Sequence, residues 1–195
     1  MQKLVAVLCV LAMMLTMVVP ALANPSIGDL SESAVEITTV EELPEGAVVK
    51  VQAVAVENYD NETVKEAVNL VNGEESTATV EEVVNKLAGE LPEGKGNLAE
   101  YDFVTTFTEV ALVKDGETSF DNEGEVVAPT VTLAVDVLKG VNPEDLANYL
   151  FMLINPATGE LRFIELDPEA FDAEKGEITV ELPFLGALAL IQKAE

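Results

Sequence analysis

The sequence contains no histidine and no tryptophan, and its single cysteine is Cys9. Without imidazole there is no general base of the commonest kind and no His-ligated zinc or copper site. Basic residues are scarce as well: 10 Lys and Arg stand against 36 Asp and Glu, a formal net charge of -26. Nucleic acid and anionic lipid are gripped through Lys and Arg, so neither is expected as a partner. Aromatic side chains make up 5% of the chain, and the three tyrosines, Tyr59, Tyr101 and Tyr149, are scattered. Stacking platforms for sugar rings are therefore few. Among metal ions, the composition leaves room only for hard, oxygen-ligated cations such as calcium.

One long apolar run is present, at residues 4–19, behind a single positive charge at Lys3 and ahead of Pro20-Ala21-Leu22-Ala23. This is the pattern of a secretory signal peptide over residues 1–23 with an Ala-x-Ala site, cleaved between Ala23 and Asn24. The run is too short for a membrane span, and bulky Leu8 before Cys9 does not suit lipoprotein processing. Cleavage removes Cys9 and Lys3, leaving 172 residues with 9 basic and 36 acidic side chains. The expected product is a secreted protein without disulfides or a mature thiol, kept soluble and monomeric by its charge. The Leu-Pro-Glu-Gly segments at 43–46 and 91–94 lack the Thr of a wall-sorting motif and precede no apolar tail, so covalent anchoring is not expected.

Residues 24–33 read as a flexible leader, and residues 34–97 as strands followed by two short helices. Alternation predicts a strand over 34–40 and a longer, largely buried one over 47–57. The helices come from an internal echo in which residues 63–74 align without a gap on 79–90, with seven of the twelve positions identical. In each copy the threonine suits the N-cap and the glutamate three residues on can reach back. Thr63 with Glu66, and Thr79 with Glu82, are thus predicted capping boxes. Val64, Val68 and Val71, and likewise Val80, Val84 and Leu87, share one helical stripe, while Gly73 and Gly89 fit a positive-φ C′ position. Asn61-Glu62-Thr63 matches a glycosylation sequon, here read as chance.

Beyond residue 97 the period changes from helical to two. Tyr101, Phe103, Thr105 and Phe107 alternate, and the switch of parity at Val110 predicts a bulge near Thr108. Asp115-Gly116 suits a type I′ hairpin, and Pro129 favours a sheet edge or the first position of a strand. Asn142-Pro143 reads as a helix start, residues 149–154 as an apolar strand, and 155–159 as a tight turn. Residues 178–182 and 187–191 supply further strands, the latter a candidate exposed edge for pairing with a partner.

The strand over 101–113, the Val137-Leu138-Lys139-Gly140 loop, the Asn155-Pro156-Ala157-Thr158-Gly159-Glu160 turn and the Gly176-Glu177-Ile178-Thr179-Val180-Glu181-Leu182 strand together resemble a recurrent module. It is the Ig-like β-sandwich that ends many small secreted or surface proteins of Gram-positive gut bacteria, and the resemblance covers residues 98–193. It implies an extracellular setting and no catalytic residue. The expected fold is α+β: an antiparallel Ig-like β-sandwich over 98–195, with two short capped helices in the N-terminal half, and 34–195 forming one integrated unit.

Three functions are compatible with this reading. The first is a non-catalytic binding or surface-presentation module whose partner is an extracellular protein or surface component. A carboxylate-only hydrolase of the glycosidase type would need two acids about 5 to 10 Å apart in a pocket. A calcium-stabilised module would draw on Asp115, Glu117, Asp121, Glu123 and Glu125, with Asn122, although Asp121 followed by Gly124 breaks the EF-hand spacing.

Overall fold

Where hydrophobic residues alternate, the strands have one wet face; where they run without interruption, both faces are covered. The computed structural model describes residues 35–41, 43, 47–73, 76–122 and 124–194. The predicted signal segment, the predicted cleavage point between Ala23 and Asn24, the expected 24–33 leader and Glu123 lie outside the described residues.

In chain order the strands are β1 (Val35–Glu41), β2 (Ala47–Ala53), β3 (Tyr101–Phe103), β4 (Thr108–Lys114), β5 (Glu117–Ser119), β6 (Asp121–Asn122), β7 (Glu125–Val126), β8 (Thr130–Val135), β9 (Tyr149–Ile154), β10 (Leu161–Glu165), β11 (Phe171–Asp172), β12 (Glu177–Glu181) and β13 (Gly186–Lys193). Helices α1 (Glu62–Asn72) and α2 (Val80–Lys86) lie between β2 and β3. One sheet has the order β1-β8-β12-β11. The larger has the order β10-β9-β13-β4-β2, with β3 also on β13 and β5 also on β4, and β6 and β7 form a separate two-stranded ribbon. The ladders between these strands are antiparallel throughout.

The two large sheets pack face to face over one core. Val131, Leu133, Val135, Ile178 and Val180 come from the smaller sheet, and Val110, Leu112, Phe151, Leu153, Leu188 and Leu190 from the larger. On its other face the larger sheet carries a second core, in which Leu150, Met152, Ile154, Ala187, Ala189 and Ile191 meet Val64, Ala67, Val68 and Val71 of α1 and Val80, Val83 and Val84 of α2. The architecture is thus a sandwich with a helical layer on one side. Neighbouring residues in β9 and β13 enter opposite cores, so every side chain of β9 is buried. In β8, half-buried Thr130, Thr132 and Ala134 separate buried Val131, Leu133 and Val135.

Several sequence expectations need correction. Residues 187–191 are not an edge: β13 is interior, paired with β9 on one side and with β3 and β4 on the other. Strand β2 is shorter than expected and lies at the sheet edge, where Val48 is 48% exposed. It ends at Ala53, and a 3-10 turn follows at Val56–Asn58. The bulge expected near Thr108 is a full break between β3 and β4. There Val104 and Thr105 both donate backbone N–H groups to the Leu190 carbonyl, and Thr105 Oγ1 accepts the Leu190 N–H at 2.9 Å. Strands from before residue 97 join both sheets, β1 pairing with β8 and β2 with β4.

Helix α1 starts two residues earlier than its expected threonine cap. Asn61 is the N-cap, and its Oδ1 accepts from the N–H groups of Thr63 (3.0 Å) and Val64 (3.3 Å). An Asn side chain caps as well as a Thr, and this one reaches two orphan donors at once. Thr63 therefore sits inside the first turn, and Glu66 forms an ion pair with Lys86 of α2 at 2.6 Å. In α2, Thr79 and Glu82 form the reciprocal capping box, at 3.2 and 2.9 Å. The glycine expectation is displaced. Gly73 has φ of -69°, and after α2 it is Ala88 that adopts positive φ, at 52°. Ala88 and Gly89 close a Schellman-type end, with Gly89 N–H on the Val84 carbonyl at 3.0 Å. Gly89 is needed for closeness instead, since a Cβ there would run into Leu161 of β10.

Candidate functional site

The two helices bury one stripe each and turn their remaining faces outward, and between those faces lies an open groove of about 870 Å³. Asn69, Leu70 and Gly73 line it from α1 and its end, Ser76, Thr77 and Ala78 from the connection, and Glu82, Asn85 and Lys86 from α2. The connection is held in shape locally. Ser76 Oγ donates to the Leu70 carbonyl and accepts the Ala78 N–H at 3.3 Å. The Lys86–Glu66 ion pair crosses from one helix to the other. Asn85 also borders a second open hollow of about 620 Å³ over residues 89–98, lined by Glu90, Leu91, Pro92, Glu93, Asn97 and Leu98.

One helix residue reaches inward instead. Asn72, the last residue of α1, donates through Nδ2 to the Phe107 carbonyl (2.8 Å) and accepts the Phe107 N–H on Oδ1 (2.9 Å). This two-point clasp substitutes for a neighbouring strand at the break between β3 and β4.

A carboxylate buried under the helical layer was not singled out among the 36 acids of the sequence. Glu109 of β4 is 1% exposed, with Oε2 accepting from Gln52 Nε2 at 2.9 Å and Oε1 from the Ala55 N–H at 2.8 Å. It fastens the end of β2 and the turn beyond it to β4. Tyr59 lies beside it, 2% exposed, with its ring edge-on to Phe120. The Tyr59 hydroxyl makes no hydrogen bond of ordinary geometry, although the Glu109 carboxylate acts on it. Burial first, and then the negative charge of Glu109, hold this phenol well above its ordinary range and thus protonated. Neither residue borders a groove described above. The pair is a fastening in the second core, and a signal for it was available in the placement of Glu109 directly before the apolar stretch 110–113.

Among the described residues the calcium candidates do not gather into a metal site. Asp115 occupies the positive-φ turn position at 53° and Gly116 the next at 88°, the geometry that joins β4 to β5. Asp115, Glu117 and Asp121 border one shallow hollow of about 300 Å³, but the Asp121 side chain accepts the Gly124 N–H at 3.1 Å. Glu125 is exposed on β7. Among the described residues no group of three or more His, Cys, Asp or Glu side chains is placed to hold a metal ion. Of the predicted cap residues, Glu82 lines the helix groove, whereas Thr63, Glu66 and Thr79 do not.

Among the described residues no helix is long and apolar enough to cross a membrane. No family model, curated protein or solved structure matches this chain.

Proposed function

We propose that this is an exported, non-catalytic binding or surface-presentation module built on an Ig-like sandwich. The observation that carries the reading is the character of the helix groove. It is open along its length, lined by amide, hydroxyl and aliphatic groups together with Lys86, and among the described residues Glu82 is the one lining acid, already engaged in capping Thr79. A carboxylate-only hydrolase of the glycosidase type needs two acids facing each other across a substrate. The one buried carboxylate described above, Glu109, accepts one structural hydrogen bond on each oxygen. Export is supported by the signal-like residues 1–23, and the Ig-like reading by the placement of β8 next to β12 in one sheet and of β10, β9 and β13 in the other.

The test uses residues 24–195 as immobilised bait against bacterial and host surface fractions, with parallel assays for glycan and peptide hydrolysis. Saturable retention of a surface component without turnover is the expected result. Turnover that survives repurification and disappears on substitution of a carboxylate would overturn it. So would intact mass showing that cells retain residues 1–23 on a membrane-bound product.

A further inference from the structure

We propose that the groove between α1 and α2 receives an extended, basic polypeptide segment, held through the side-chain amides of Asn69 and Asn85; this rests on the binding-module reading and names its partner class. The starting point is the internal echo. The structure uses most of its identical positions internally. Val64 and Val80, and Val68 and Val84, are fully buried. Glu66 pairs with Lys86, Thr79 and Glu82 cap α2, and Gly89 admits Leu161. Asn69 and its equivalent Asn85 have no such use. Both are exposed in helices, where asparagine is a poor choice, and neither side chain has a hydrogen-bond partner among the described residues. Both nevertheless line the same groove.

What such an amide can hold is shown one helical turn away. Asn72 grips an extended backbone by donating to one carbonyl and accepting the N–H of the same residue, at 2.8 and 2.9 Å. Asn69 and Asn85 present the same donor and acceptor set outward. Leu70, 43% exposed, adds an apolar contact between them and the rim. The charge of the occupant follows from the lining. Glu82, Glu90 and Glu93 border the groove and its continuation past Asn85, whereas Lys86 is neutralised by Glu66. An enclosed pocket suits a small molecule, but this groove is open, and among the described residues no aromatic ring lines it for a sugar to stack on. A cationic strand-like peptide is the chemistry that fits the amides, the acids and the open ends together.

The experiment titrates the 15N-labelled protein, residues 24–195, with a synthetic peptide of alternating lysine and serine. Glutamate–serine and glycine–serine peptides of equal length serve as controls, at low and at high salt. The expected result is a saturable set of shifts centred on the side-chain NH2 signals of Asn69 and Asn85 and on Leu70, seen with the lysine peptide alone. Asn69→Ala with Asn85→Ala should weaken binding about tenfold or more, while the melting temperature holds or rises. The proposal is overturned by absent binding, by shifts spread over the acidic surface that vanish at high salt, or by a double variant that binds as tightly as the parent. A surface component captured equally by the parent and the double variant would also overturn it, while leaving the binding-module reading intact.

Discussion

The two large sheets face the same central core but are built from different kinds of strand. In the four-stranded sheet, β8 and β12 carry Val131, Leu133, Ile178 and Val180 inward, and on the other side Thr132 and Thr179 share a hydroxyl hydrogen bond of 2.9 Å at the surface. In the seven-stranded sheet, β9 and β13 send successive side chains into two different cores. The difference teaches that an uninterrupted apolar strand marks a layer beyond the sheet, here α1 and α2, and that each of its positions is under packing constraint.

The severest way to break the doubly covered sheet is at Gly186, where any Cβ would run into the Ile154 carbonyl of the neighbouring strand. Gly186→Val should cost more than about 4 kcal/mol, an exceptional loss for one substitution, and yield little folded protein. Recovery of a soluble, cooperatively melting variant would show that β9 and β13 can separate. A gentler comparison is an alanine scan of neighbours. Phe151→Ala should cost about 3–5 kcal/mol and Met152→Ala about 2–5 kcal/mol, because each empties a different core. In β8, Leu133→Ala should fall in the same range as Met152→Ala, but Thr132→Ala should stay within about 0.5 kcal/mol. Urea midpoints that alternate in β9 as they do in β8 would contradict the second core.

Acids sharpen the same contrast. On the covered face, Glu109→Ala strands the Ala55 N–H and the Gln52 amide and should cost about 1–3 kcal/mol. Tyr59→Phe removes a hydroxyl that makes no hydrogen bond of ordinary geometry and should be neutral or stabilising. On the open face, Glu181→Gln should change little. Thermal unfolding of the three variants would rank them, and a destabilising Tyr59→Phe would mean that this hydroxyl has a partner.

Within the helical layer the two echoed segments offer a finer comparison. Thr79→Ala should cost about 1 kcal/mol and Thr63→Ala much less, because only the former removes a cap. Equal losses would put both threonines back at helix starts. The smallest effect concerns acid. The backbone N–H and then the side chain of Lys175 hold the Asp172 carboxyl below its ordinary value of 3.8. The stabilisation is therefore complete above that value and is lost as pH falls through the lower folded-state value. Asp172→Asn should flatten this last part of the acid limb alone, and an NMR titration of Asp172 at or above its ordinary value would refute the depression.

Strand alternation made β8 and β12 legible, and local chemistry made the Asp115-Gly116 hairpin and the Thr79 cap legible, because in each case the deciding partners lie within a few residues. What escaped depends on partners far along the chain. The apolar run in β13 looked like an edge because nothing local says that β9, β4 and β3 flank it. Asn61 was set aside as part of a sequon, although its position just before an amphipathic stripe also suited a cap. For the candidate site, the echo aligned Asn69 with Asn85. Their convergence on one groove follows from how α1 and α2 pack, and that is settled by the second core.

The position of β13 also sets an order of events. Among the described residues it is the last strand, and β9 on one side and β3 and β4 on the other meet through it. A chain emerging from its N-terminus can pair β2 with β4 and β1 with β8, but its larger sheet stays in two pieces until residues 186–193 arrive. The second core, which needs Ala187, Ala189 and Ile191, waits with it. Closure of the larger sheet is thus a long-range event that depends on β13 finding partners far back along the chain.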